Sequence, residues 1–272
     1  MFEKLRSLWP KGKPAASIAQ LPAGKRVYAV GDIHGRLDLF SALIDALEAD
    51  DAASPPARTT MILLGDLVDR GADSAGVLAR AREWQVQGKM TGREVRILAG
   101  NHEEMFLRSF TSIDILRHFL RHGGRETLLS FGVDRGAYNA ATIEEVQALM
   151  HLHVSDDMRE YIAGFEDMIT IGDYLFVHAG VDPDVPIAEQ TVADLRWIRE
   201  PFLSHEGSHG PMVVHGHTIV EQPVETASRI GIDTGAYATG RLTALVLERA
   251  ERRFIAAVED DLGQVRIEGG QG

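Results

Sequence analysis

The chain has 272 residues, with 28 Lys or Arg against 40 Asp or Glu, a formal net charge of -12 and no cysteine. Without cysteine, disulfides, zinc–thiolate sites, iron–sulfur clusters and a thiol nucleophile are excluded, so any metal must sit on oxygen and imidazole nitrogen. The acidic balance argues against general nucleic-acid binding, which needs basic surface to displace phosphate counterions, yet a cleft holding dications and a few arginines can still take a phosphorylated substrate.

Residues 1–14 carry Lys4, Arg6, Lys11 and Lys13 but lack the apolar run of a cleaved secretory signal. Phe2, Leu5, Leu8 and Trp9 share a face if this stretch is helical. A segment this short binds membranes only marginally, so it reads as a tail, with weak peripheral membrane contact as the alternative. Pro10, Pro14 and Pro22 mark residues 10–24 as a linker, and order is expected from Lys25. Val27-Tyr28-Ala29-Val30, ended by Gly31, is a buried strand; residues 37–49 have helical apolar spacing. Met61-Ile62-Leu63-Leu64 is a second strand, residues 74–86 a second helix, and Val95-Arg96-Ile97-Leu98 a third strand. That alternation implies parallel pairing through right-handed crossovers. Residues 104–166 lose the strand pattern and read as a helical insertion over the sheet edge, a source of substrate selectivity or equally a scaffold. Strands return at residues 168–171 and 174–177, a short helix at 192–198, then strands at 212–214, 223–226, 229–232, 242–248 and 253–258. The second half thus suggests another, partly antiparallel sheet packed on the first. The expected organisation is an α/β fold with one domain over residues 25–268 and a disordered end at 269–272. No apolar stretch is long enough to span a bilayer, and the expected location is cytoplasmic.

Five polar clusters punctuate this pattern, each after a short apolar run: Gly31-Asp32-Ile33-His34-Gly35, Gly65-Asp66-Leu67-Val68-Asp69-Arg70-Gly71, Gly100-Asn101-His102-Glu103, His178-Ala179-Gly180 and His215-Gly216-His217. Loops at the carboxyl ends of parallel strands share one edge, where ligands bind, so distant clusters converge. Two dications need a carboxylate between them to offset their repulsion. Asp66 is the natural bridge, with Asp32 and His34 completing one metal and Asn101, His178 and His215 the other. Singly, each is an ordinary turn or cap residue; in register they describe a two-metal hydrolase. Mn(II), Fe or Zn suits these donors. Such pairs sit about 3.5–4 Å apart and activate a shared water. Arg70 is placed to fork onto phosphate oxygens. His102 is a candidate general acid, its imidazolium held by Asp69. Arg199 is a second clamp or a surface residue, and His217 a secondary candidate beside the metal. Of the other histidines, His118, His122, His151 and His153 are read as surface residues of the insertion, and His205 and His209 as cleft flanks.

These clusters resemble the calcineurin-like metallophosphoesterase superfamily, and within it the PPP-type serine/threonine protein phosphatases of the bacterial and phage (lambda phosphatase-like) branch. Trp197-Ile198-Arg199-Glu200 and Ile232-Asp233-Thr234-Gly235-Ala236 are similar to that branch too. The resemblance implies a β-sandwich of two packed mixed sheets flanked by helices. It also implies two divalent cations, commonly manganese, and phosphomonoester hydrolysis without a covalent intermediate. It assigns Asp32, His34 and Asp66 to one metal and Asp66, Asn101, His178 and His215 to the other. Arg70, His102 and Arg199, beside Asn101, fall to the phosphate, with Asp69 supporting His102. The long substrate-groove loop of the eukaryotic members has no counterpart around residues 234–241, so their regulatory partners are not implied. The expected substrate is a phosphorylated protein, serine/threonine or dual-specificity, or a small phosphoester. Alternatives are a symmetrical dinucleoside tetraphosphate hydrolase, a broad-specificity phosphoesterase and a silent scaffold that binds phosphorylated partners.

Overall fold

The computed structural model describes residues 19–269; the N-terminal tail and the last Gly-rich residues lie outside them. In chain order the chain runs β1 (Lys25–Val30), α1 (Leu37–Ala53), β2 (Arg58–Leu63), α2 (Ser74–Thr91) and β3 (Glu94–Ile97). The inserted helices follow: α3 (Asn101–Ser109), α4 (Ile113–Phe119), α5 (Arg125–Ser130), α6 (Arg135–Ala140), α7 (Ile143–His153) and α8 (Asp156–Ala163). Then come β4 (Met168–Ile171), β5 (Tyr174–Val177), α9 (Val192–Trp197), β6 (Met212–His215), β7 (Val224–Glu225) and β8 (Arg229–Gly231). The chain closes with α10 (Ala236–Thr239), β9 (Arg241–Glu248), β10 (Glu251–Glu259) and β11 (Val265–Glu268).

Local chemistry sets the boundaries. In α1, Leu39, Phe40, Leu43, Ile44 and Leu47 recur at helical spacing and are all buried. Asp73 caps α2 by accepting the Gly76 N–H, and Gly92 ends it in a left-handed turn. Thr142 and Glu145 close a reciprocal capping box on α7.

Two mixed sheets result. One has the order β11-β10-β9-β1-β2-β3 and the other β4-β5-β6-β8-β7. Strands β1, β2 and β3 pair in parallel, as the strand–helix alternation implies. The last strands differ from expectation. β9 pairs antiparallel with β1, and β10 with β9, so they extend the first sheet rather than building the second. Both edges of a three-stranded parallel core must be covered or extended, and a hairpin beside β1 does the latter. Alternation along the strands then divides the core. Tyr28 and Val30 of β1 and Ala244 and Val246 of β9 face the helices. Val27, Ala29, Leu245 and Leu247 face Ile169, Phe176, Val214 and Ile230 of the second sheet. The inserted helices contribute Phe106, Phe119, Leu128 and Met150 to the same cluster as the helix-facing side of the first sheet. Order begins earlier than Lys25: Leu21 is buried between the sheets and its N–H donates to Arg249 O. No helix among the described residues is long and apolar enough to cross a membrane.

Candidate dimetal active site

The carboxyl ends of the parallel strands in both sheets meet at one rim of the sandwich. Asp32 follows β1, Asp66 follows β2, and Asn101 and His102 open α3 after β3. His178 follows β5, His217 lies beyond β6, and Asp233 lies beyond β8. Asp66 is the hub. Its Oδ2 lies 3.4 Å from His178 Nε2, 3.5 Å from His34 Nε2 and 4.0 Å from His102 Nε2. Two groups of possible ligand atoms share it, His34–Asp66–His102 and Asp66–His178–His217, with every member buried.

The histidines are oriented from behind, as metal-binding imidazoles usually are. His34 Nδ1 lies 2.8 Å from Val68 O and His178 Nδ1 2.8 Å from Leu64 O, so Nδ1–H donates to a carbonyl and Nε2 turns to the centre. Asn101 Oδ1 is 3.0 Å from His178 Nε2 and 2.9 Å from His217 Nδ1. A proton on that Nδ1 leaves His217 Nε2 as a free lone pair, buried with no hydrogen-bond partner among the described residues. Asp32 accepts the His217 N–H at 3.0 Å. Gly216 permits this approach: a Cβ there would lie 2.0 Å from Asp32 Oδ1.

Backbone strain marks the same place. Among the described residues, His34, Asp66, Asp69, Arg70, His217 and Arg249 are the non-glycine residues with positive φ, and all but Arg249 line this rim. Glu103 holds the turn at Asp66 together. Its wholly buried carboxylate accepts the N–H groups of Asp66, Leu67, Val68 and Gly100 at 2.7–3.2 Å. Asp69 Oδ2 is 2.6 Å from His102 Nδ1. Arg70 forks between His34 Nε2 at 2.8 Å and His102 Nε2 at 2.9 Å, with its guanidinium 4.7 Å from the Tyr237 ring centre. Arg199 is exposed and close enough to His217 to disfavour its charged form.

Electrostatics follow from burial and from Asp66. Burial, though it favours the neutral acid, is outweighed at Asp66 by His178, His102 and His34, which hold its carboxyl well below the usual range. Burial, then Asp233 and Asp66, push Asp32 well above its ordinary value, and burial raises Asp233 to about 6. Burial lowers His34 well below its usual value and His217 to about 3, leaving both neutral. At His178 burial is overcome by the Asp66 charge, which raises it. The donor set therefore fits a pair of dications: a carboxylate between imidazoles tied from behind, plus an unpartnered buried imidazole nitrogen.

The rim unites Asp32, His34, Asp66, Asn101, His102, His178, Asp69 and Arg70. His215 is the correction. It is the last residue of β6, so it shares the outer face of Val213, and its ring packs edge-on at 5.0 Å against Phe202. Its Nδ1 is 3.0 Å from Gly216 O and its Nε2 3.5 Å from Arg229, while His217, two residues further along, enters the site. Strand alternation along Met212-Val213-Val214-His215 was the signal available in the sequence. The sequence analysis left Glu103, Asp233 and Tyr237 without roles; Glu103 stands inside a polar cluster, Asp233 inside the stretch similar to the phosphatase branch, and nothing local marks Tyr237.

A family model, Calcineurin-like phosphoesterase, matches residues 25–244. The chain belongs to the calcineurin-like phosphoesterases. As a member it is a dinuclear metallohydrolase. It is 30% identical over 225 residues to serine/threonine-protein phosphatase 1 of Salmonella typhimurium, covering 80% of this chain and 90% of that protein. It is 26% identical over 238 residues to an asymmetrical bis(5'-nucleosyl)-tetraphosphatase of Bacillus velezensis, covering 79% and 86%. A symmetrical bis(5'-nucleosyl)-tetraphosphatase of Acidovorax sp. is 33% identical over 169 residues, but the match spans only 48% of that protein. The cold-active protein-tyrosine phosphatase of a Shewanella species shares the phosphoesterase fold, with a TM-score of 0.55 at 20% identity over 94% of this chain and 85% of that one.

Proposed function

We propose that this phosphoesterase hydrolyses phosphomonoesters on proteins, with serine/threonine or dual specificity, and that manganese is its working metal. The observation that carries the reading is the buried Asp69–His102 pair beside the Arg70 fork. Asp32, His34 and Asp66 would hold one cation, and Asp66, Asn101, His178 and His217 the other. When bound, the cation pair supplies an activated water and neutralises phosphate charge. The chain's own residues do the rest. Arg70 binds two phosphate oxygens, Arg199 closes from the solvent side and Asn101 borders the phosphate. A phosphate taking the Arg70 fork frees His102 Nε2, which in the fork accepts from Arg70; once freed it takes up a proton from solvent and passes it to the leaving oxygen. Burial opposes the charged form of His102, but Asp66 and Asp69 outweigh it and raise its pKa, which favours uptake of that proton. Asp69 orients the ring through Nδ1.

The second reading is dinucleoside tetraphosphate hydrolysis, favoured by the Bacillus and Acidovorax relatives. The two separate on kcat/KM for a phosphoserine peptide and for diadenosine tetraphosphate, measured side by side with Mn(II). Protein dephosphorylation is expected to be the faster. A dinucleotide preference of orders of magnitude would transfer the assignment to the second reading.

A further inference from the structure

The inserted helices touch the catalytic turn at two points. Thr127, wholly buried in α5, accepts the Asp69 N–H at 2.9 Å and donates to Asp69 Oδ1 at 2.6 Å. Its oxygen also lies 2.9 Å from Ser74 Oγ. A hydroxyl has one proton, so with that proton on Asp69 it is Ser74 that donates to Thr127. Asp69 is thus clamped at both ends, one oxygen by Thr127 and the other by His102 Nδ1. Four residues before Thr127, the Gly123 carbonyl accepts the Arg70 N–H at 3.2 Å. Gly123 has φ +107, and a Cβ there would lie 2.4 Å from Arg70 N, so only glycine allows the approach. Asp69 and Arg70 are consecutive non-glycine residues at φ 74 and 71, a backbone that side chains rarely adopt. The insertion accepts the Arg70 N–H and shares the Asp69 N–H with Ser74 Oγ of α2, also 2.9 Å away.

We infer that Thr127 is a positioning residue for hydrolysis: through Thr127 the helical insertion fixes the Asp69 carboxylate and, through it, the His102 imidazole. The inference rests on the reading of Asp69–His102 as the proton-delivering pair. It gives the insertion a role in the chemistry itself. Without the hydroxyl, Asp69 Oδ1 is buried with no donor and the carboxylate turns to find one, taking the imidazole out of line. Losses of such outer partners run to roughly 10–100-fold in activity.

The test uses the Mn(II)-loaded full chain with p-nitrophenyl phosphate, comparing Thr127→Val, Thr127→Ser, Asp69→Asn and the Thr127→Val/Asp69→Asn double variant. Thr127→Val is expected to lower kcat about 10–100-fold with KM nearly unchanged, and Thr127→Ser to restore it to within about threefold. On the Asp69→Asn background Thr127→Val should add nothing, because it acts through that carboxylate. In the metal-free protein, the His102 ring 15N shifts should move in Thr127→Val and stay in place in Thr127→Ser. If the valine variant does not fold, Thr127→Ala makes the same deletion in a smaller side chain. Wild-type kcat in Thr127→Val, a serine variant as poor as valine, or losses that multiply in the double variant would each overturn the inference. Wild-type turnover in Asp69→Asn would instead defeat the underlying pair.

Discussion

A left-handed backbone at a residue with a side chain costs roughly 1–3 kcal/mol, and this molecule accepts it at His34, Asp66, Asp69, Arg70 and His217. The cost persists because neighbours over-determine each turn. Glu103 is the clearest case, a buried carboxylate gathering four backbone donors from the Asp66 turn and from Gly100. Glu103→Gln should lower unfolding stability by about 2–4 kcal/mol, since a neutral amide accepts these bonds more weakly and brings a donor with no acceptor; urea denaturation reads this directly. At the ligands, His217→Ala is expected to lose one of two cations and the activity, while His215→Ala keeps both cations. Metal content by mass spectrometry and p-nitrophenyl phosphate turnover separate the pair. His102→Asn should retain metal and lose turnover about 10²–10⁴-fold, as expected of a proton donor.

At the scale of elements, every candidate ligand follows the end of a strand that runs parallel to a neighbour, in the loop or, for Asn101, at the helix start after it. Position within the element therefore decides a histidine's fate. His215 ends β6 and packs on Phe202, whereas His217 has left the strand and reaches the rim. The segment before β6 contains a further consequence. Both ring nitrogens of His209 are buried without hydrogen-bond partners among the described residues, and the ring packs against Phe202 and His205. Burial, then His205, lowers its pKa to about 4. The unfolded chain takes up the proton as pH falls through the ordinary histidine range near 6.5, while the folded chain does not until about pH 4. Stability is thus lost across that window as pH drops. His209→Leu should make the decline in melting temperature from about pH 6.5 to 4 shallower, with the melting temperature at neutral pH held or raised.

For the molecule as a whole, the site joins two sheets. Asp32, Asp66 and Asn101 come from the first and His178, His217 and Asp233 from the second, so cations bound there would cross-link the sandwich at its rim. A ligand at 100 times its Kd adds about 2.7 kcal/mol to folding stability. For a chain of this size that amounts to roughly 5–10 °C in melting temperature. Manganese addition should raise the thermal midpoint by this order, and EDTA should return it. An unchanged midpoint at saturating Mn(II) would show that the cations do not bind the native rim.

Much of this was legible in the chain. Gly-Asp, Gly-Asn and His-Ala-Gly after short apolar runs identify the chemistry, because few residue types bind hard cations and few turns present them. The strand–helix alternation over residues 25–97 gave the parallel half of the first sheet for the same local reasons. What tertiary structure alone decided were the partners: that β9 and β10 lie beside β1, and that Thr127 from the insertion closes on Asp69. Hydrophobic periodicity reports which face of an element is buried, but the neighbour it is buried against is set by contacts between segments tens to hundreds of residues apart, and those carry no local mark.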